Sequence, residues 1–142
     1  MKLGYTVPVL VALAGGAAAA ASAAAVGEPL SCRIDALSAS QRSRHQLLGE
    51  KLASAVVGRT EVPNGYVFAL DLSRLPADAA GQAFCVVEVA EWVDLEARCC
   101  PFLDFGIERP GKGSVVRLRL TGGKAVKEFV EQELPMAHRA NR

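Results

Sequence analysis

From residue 38 onward the chain switches repeatedly between two hydrophobic periods. Leu48, Leu52, Ala55 and Val56 recur at helical spacing behind Ser38-Ala39-Ser40-Gln41. That tetrad fits a capping box, in which a hydroxyl and a Gln three residues later satisfy first-turn amides. The pattern predicts a helix to about residue 57, with Gly58 as its stop. Val62-Pro63-Asn64-Gly65-Tyr66 is a turn signal, because proline presets one turn dihedral and Asn-Gly accepts positive φ. Its flanks, residues 59–62 and 66–72, read as paired strands. Tyr66, Phe68, Leu70 and Leu72 fall on one side at period two.

Leu75-Pro76-Ala77-Asp78 reads as the opening of a second helix, running to about residue 99. Cys85, Val89, Trp92, Glu96 and Cys99 lie on one stripe of it, and Glu88, Glu91, Asp94 and Glu96 form an acidic face that reads as solvated. Pro101 disfavours the α conformation at Cys100, so the helix ends at the cysteine pair. Residues 102–108 and 114–121 alternate again, around the turn Arg109-Pro110-Gly111-Lys112-Gly113. Val116, Leu118 and Leu120 point inward on the second of these strands, and Arg117 and Arg119 outward. Residues 124–134 form a last helix with Val126, Phe129, Val130 and Leu134 inward, and 135–142 read as a flexible tail. The order α-β-β-α-β-β-α predicts one α+β domain over residues 38–134. In it, a four-stranded antiparallel sheet of two hairpins is covered by helices in a two-layer arrangement.

The start of the chain follows a different rule. Of the first 26 residues 19 are apolar; Lys2 supplies a short positive region, and residues 4–25 carry no charge. Ala21-Ser22-Ala23 and Ala23-Ala24-Ala25 both fit a small-x-small cleavage site. Residues 1–25 therefore read as a secretory signal peptide, with a periplasmic or secreted mature protein. The rival is an uncleaved leader acting as a membrane anchor. Gly15-Gly16, Pro8 and the weak hydrophobicity of alanine count against it. Residues 26–37 follow as an extended segment.

The whole chain has 142 residues, 16 Lys+Arg and 15 Asp+Glu. That balance argues against a basic nucleic-acid binder, and no membrane span is expected once the leader is cleaved. No Gly-x-Ser-x-Gly occurs, and Gly111-Lys112-Gly113 and Gly122-Gly123-Lys124 lack Walker spacing. Neither His45 nor His138 neighbours a Ser or Cys closely enough in sequence to suggest a hydrolase triad. No catalytic residue, nucleotide, flavin or haem site is assigned. His45 reads as a helix-face residue beside Leu48 and Leu52, and Trp92 as core.

The four cysteines carry the chemistry. Glu96, Cys99 and Cys100 stand at i, i+3 and i+4, so a helix gathers a carboxylate and two sulfurs on one patch. Arg98 favours thiolate; the partial negative charge of a helix C-terminus opposes it. Cys85, with apolar neighbours, reads as a small core residue, and about 21 Å of helix separates it from Cys99. Cys32 sits in the extended segment, which could fold back over the pair. In an oxidising compartment it is a disulfide candidate with Cys99 or Cys100. The same three sulfurs with Glu96 are a candidate site for a soft metal ion.

Glu91-Trp92, Glu96-x-Arg98-Cys99-Cys100-Pro101-Phe102, Leu118-x-Leu120-Thr121-Gly122 and Val126-Lys127-Glu128-Phe129 together resemble a group of uncharacterised small bacterial proteins with an Arg-Cys-Cys-Pro-Phe core. Ala36-Leu37-Ser38 and Asn64-Gly65-Tyr66-x-Phe68 resemble the same group, so the likeness covers about residues 32–134. The group has no established activity. The resemblance implies that Cys99 and Cys100 are shared features and carries over no catalytic residue. Most members lack an export leader, so this chain departs from them there.

Three functional readings stay open. The first is an exported thiol protein that binds a soft metal ion through Cys99 and Cys100, helped by Cys32 or Glu96. The second is a thiol–disulfide redox protein using the same cysteines. The third is a non-catalytic interaction module, its protein partner unknown, in which the cysteines are structural. The first two lean on the sulfur pair at the helix end being reachable by solvent, and they fall together if both sulfurs are buried with no third donor group nearby.

Overall fold

The computed structural model describes residues 29–139. The expected leader (1–25), the first residues of the extended segment and the last three of the expected tail lie outside that span. Among the described residues, no helix is long and apolar enough to cross a membrane.

Helix α1 (Ala39–Ala55) starts at the expected capping box. The Gln41 amide donates to Ser38 Oγ at 3.3 Å and the Ser38 amide to Gln41 Oε1 at 2.9 Å. Its buried face is Leu48, Gly49, Leu52, Ala53 and Ala55. Gly58 does not stop this helix. The chain passes straight from Ala55 into strand β1 (Val56–Val62), and the register shift between Val56 and Gly58 is a bulge inside that strand. Pro63 and Asn64 turn the chain into β2 (Gly65–Asp71). Gly65 is already in the ladder, without positive φ. A side chain is excluded there by close approach instead, since a Cβ would sit 2.0 Å from the Leu120 carbonyl oxygen.

The second helix is shorter than its sequence pattern. Helix α2 spans Val86–Cys99, and residues 75–85 are not helical apart from bends and turns. The Asp78 carboxylate accepts the amides of Ala80 (2.9 Å) and Gln82 (2.8 Å), and Gly81 takes φ +76°. An aspartate that satisfies its own following amides closes a local turn that competes with helix. The true N-cap is Cys85, whose amide donates to Glu88 Oε2 at 2.9 Å. Cys85 is therefore exposed and not a core residue. The C-terminus falls at Cys99, as Pro101 requires.

Strands β3 (Leu103–Glu108) and β4 (Val115–Gly122) form the second hairpin. The sheet order is β1-β2-β4-β3, antiparallel throughout, so the two hairpins meet along β2 and β4. Tyr66 faces Leu120, Phe68 faces Leu118 and Leu70 faces Val116 across that junction, all six buried. Arg117 and Arg119 are exposed. This is an α+β domain around a four-stranded antiparallel sheet.

Helix α3 (Val126–Glu133) buries Val126, Phe129 and Val130, with Phe129 edge-on to Phe102 at 4.8 Å. The expected flexible tail is instead structured through residue 139. Helix α4 (Pro135–Arg139) packs on α1 through fully buried Met136 and nearly buried Ala137. Two apolar side chains too close in sequence to show a period escape pattern reading, yet they close the end of the core.

Candidate functional site

The site forms where the N-terminal segment crosses the C-terminal end of α2. The Arg33 amide donates to the Cys99 carbonyl at 2.8 Å, one of the carbonyls a helix end leaves without an intrahelical partner. That bond draws the preceding residue, Cys32, over the cysteine pair. Cys32 and Cys100 form a disulfide with their α-carbons 5.0 Å apart. Cys99 remains a free thiol, with Sγ 3.3 Å from the Leu95 carbonyl oxygen and 3.5 Å from that of Glu96.

One ligand atom from each of Cys32, Glu96, Cys99 and Cys100 lies within 4.8 Å of every other. These are the four residues the sequence nominates. The disulfide alternatives resolve to Cys32 with Cys100. Solvent access resolves against expectation, because Cys99 and Cys100 are both 0% exposed. Of the three sulfurs only Cys32 is part-exposed, so the route to the cluster runs past it.

Burial also decides the contest over the Cys99 proton. The thiol pKa is pushed up from 9.0 to about 11, chiefly by desolvation and next by the negative charge of Glu96. Arg98 does not relieve this. Its guanidinium is exposed and donates to Asp94 Oδ2 at 2.6 Å, one turn back along the helix. Cys99 is a thiol, not a thiolate, at neutral pH.

Glu96 is the least expected member. It is 0% exposed, although it sits on a helix whose other carboxylates face outward. Glu88 caps α2; Glu91 takes a bidentate pair from Arg44 on α1 at 2.8 and 2.7 Å; Asp94 holds Arg98. Glu96 turns inward, with Oε2 against His45 Nε2 and Oε1 3.6 Å from Cys32 Sγ. A buried carboxylate is costly unless a charged or hydrogen-bonding partner meets it, and His45 on α1 is that partner. His45 also stacks on Trp92, with ring centroids 6.0 Å apart. Sequence spacing gives no sign of the His45–Glu96 pair, because 51 residues separate them.

Beside the cluster lies an open cleft of about 340 Å³. Cys32, His45, Gly49, Trp92, Glu96 and Leu134 line its inner part, and Gln46, Glu50, Glu133 and Pro135 its rim. Trp92 is core as expected, 1% exposed, yet its Nε1 has no hydrogen-bond acceptor among the described residues. The indole nitrogen faces Gly49, where an added Cβ would approach it to 3.3 Å.

Comparison of the chain with protein-family models, with curated proteins and with solved structures returns no match.

Proposed function

We propose that the chain is an exported thiol protein with two states of one cluster. Reduced, Cys32, Cys99, Cys100 and Glu96 bind a soft metal ion; oxidised, the Cys32–Cys100 disulfide closes the site. The observation that carries the reading is the convergence of four donor atoms within 4.8 Å from segments more than 60 residues apart. Three sulfurs and a carboxylate suit a thiophilic ion of low coordination number. A raised Cys99 pKa does not oppose this, because a bound ion displaces the thiol proton and binding is then coupled to proton release. The His45 contact to Glu96 supplies the outer-shell support that orients metal ligands.

The redox half of the reading is favoured by the bonded Cys32–Cys100 pair with a third thiol beside it. Export agrees with both the leader pattern of residues 1–25 and the disulfide, since such bonds persist in oxidising compartments.

The test is a cadmium titration of the phosphine-reduced protein in the absence of oxygen. The reading predicts one ion per chain by native mass, with a sulfur-to-metal charge-transfer absorption. Cys32→Ser weakens binding at least about tenfold, the scale on which even outer-shell changes act. Binding without that absorption, or binding indifferent to Cys32→Ser, contradicts the reading.

A further inference from the structure

The cleft holds features that metal binding does not use. It opens onto Cys32, the only part-exposed sulfur of the cluster, while the bonded partner Cys100 is sealed behind it. Buried Trp92 forms part of its wall, with the indole N–H turned toward Gly49. Its rim carries two exposed carboxylates, Glu50 and Glu133, and the only other ionisable groups lining it are Glu96 and the His45 paired with it.

We propose that this cleft admits a low-molecular-weight aminothiol that reduces the Cys32–Cys100 disulfide by attack on Cys32. The proposal rests on the oxidised half of the reading above and is independent of metal binding. The choice of sulfur follows from access: an external nucleophile in the cleft meets Cys32, and Cys100 is the leaving group. The choice of ligand charge follows from the rim, where Glu50 and Glu133 attract an ammonium group and repel a carboxylate.

The chemistry balances in two exchanges. The thiolate of the incoming thiol bonds to Cys32 Sγ, the Cys32–Cys100 bond breaks, and its electron pair leaves on Cys100 sulfur. That sulfur then takes a proton. The proton comes from solvent. A second thiolate attacks the small molecule's sulfur in the mixed disulfide. It releases Cys32 as a thiol, after protonation, and a small-molecule disulfide. Two aminothiols are oxidised and one protein disulfide is reduced.

The experiment uses the oxidised full-length protein and three probes of similar size: cysteamine, 2-mercaptoethanol and 3-mercaptopropionate. Rates are compared at equal thiolate concentration, each divided by its rate with a small linear disulfide. The expected order is cysteamine, mercaptoethanol, mercaptopropionate, with about a fivefold span or more, the scale of semi-exposed charge pairs. Acid-quenched samples carry the adduct on Cys32. The Glu50→Gln/Glu133→Gln double variant, both sites on the rim, brings the span towards one with an unchanged far-UV spectrum. No preference for cysteamine in the wild type, or an adduct on Cys100, overturns the proposal. Cadmium binding by the phosphine-reduced protein is measured in parallel. If cadmium binds while thiol selectivity is absent, only the cleft proposal falls; if selectivity holds while cadmium fails, only the metal reading falls.

Discussion

The Glu96 carboxylate, fully buried near the end of α2, is met by the His45 ring nitrogen from α1. This contact ties the cysteine cluster to the helix pair that supports it. Removing one partner of a buried pair strands the other. His45→Ala is therefore expected to destabilise the protein by about 3 kcal/mol. His45→Gln, which keeps a donor, is expected to lose less. Urea unfolding of the oxidised protein measures both. A loss below about 1 kcal/mol for His45→Ala means that Glu96 has found another partner or water.

The Cys32–Cys100 bond closes a loop between residues 68 apart in sequence. Chain-entropy arithmetic for a loop of that length gives about 4 kcal/mol. Cys100→Ser, which also leaves Cys32 unbonded, is expected to lower stability by about 2–4 kcal/mol. The loss includes release of the N-terminal segment held by the Arg33–Cys99 backbone bond. Amide exchange at Arg33 checks that part: protection disappears in the variant. Unchanged protection there means the segment docks without the disulfide.

Cys99 sets an alkaline limit. Its folded-state pKa lies above its value in the unfolded chain, so the folded state holds the proton longer. The resulting stability is complete below about pH 9 and lost as pH rises through about 11. The two-unit interval corresponds to about 2–3 kcal/mol. Tyr66 acts in the same sense at higher pH. Its hydroxyl donates to Glu131 at 2.6 Å, which with burial pushes its pKa from 10.0 to about 12. Urea midpoints from pH 8 to 11 should fall for the wild type and fall less for Cys99→Ala, which keeps the disulfide. Parallel decline of the two proteins contradicts the assignment.

The parts of the fold set by period are legible in the sequence. The alternation of Tyr66, Phe68 and Leu70 and of Val116, Leu118 and Leu120 gives the two central strands and their inward faces, and the Ser38–Gln41 box gives the start of α1. The errors arise where a local competitor beats the pattern. Asp78 and Gly81 hold a turn where Leu75-Pro76-Ala77-Asp78 reads as a helix opening, which moves the N-cap to Cys85 and exposes that thiol. Gly65 is needed for space rather than for a turn dihedral, and Gly58 lies within β1 beside a bulge rather than at a helix stop.

In the site, the sulfurs and Glu96 are nominated by helical spacing plus one foldback. The solvent exposure assigned to the pair is wrong, because spacing places residues on a stripe without saying what covers it. Residues 29–37 and the α1 face provide that cover. His45 and the cleft depend on the docking of α1 against α2, which Arg44 and Glu91 bridge and which no local pattern encodes.

X-ray absorption at the cadmium edge of the reduced, loaded protein bears most directly on the central claim, that four side chains act as one ligand set. The account predicts a shell of three sulfurs and one oxygen for the wild type, falling to two sulfurs in Cys32→Ser. A first shell of oxygen and nitrogen alone, or a sulfur count unchanged by that substitution, contradicts it.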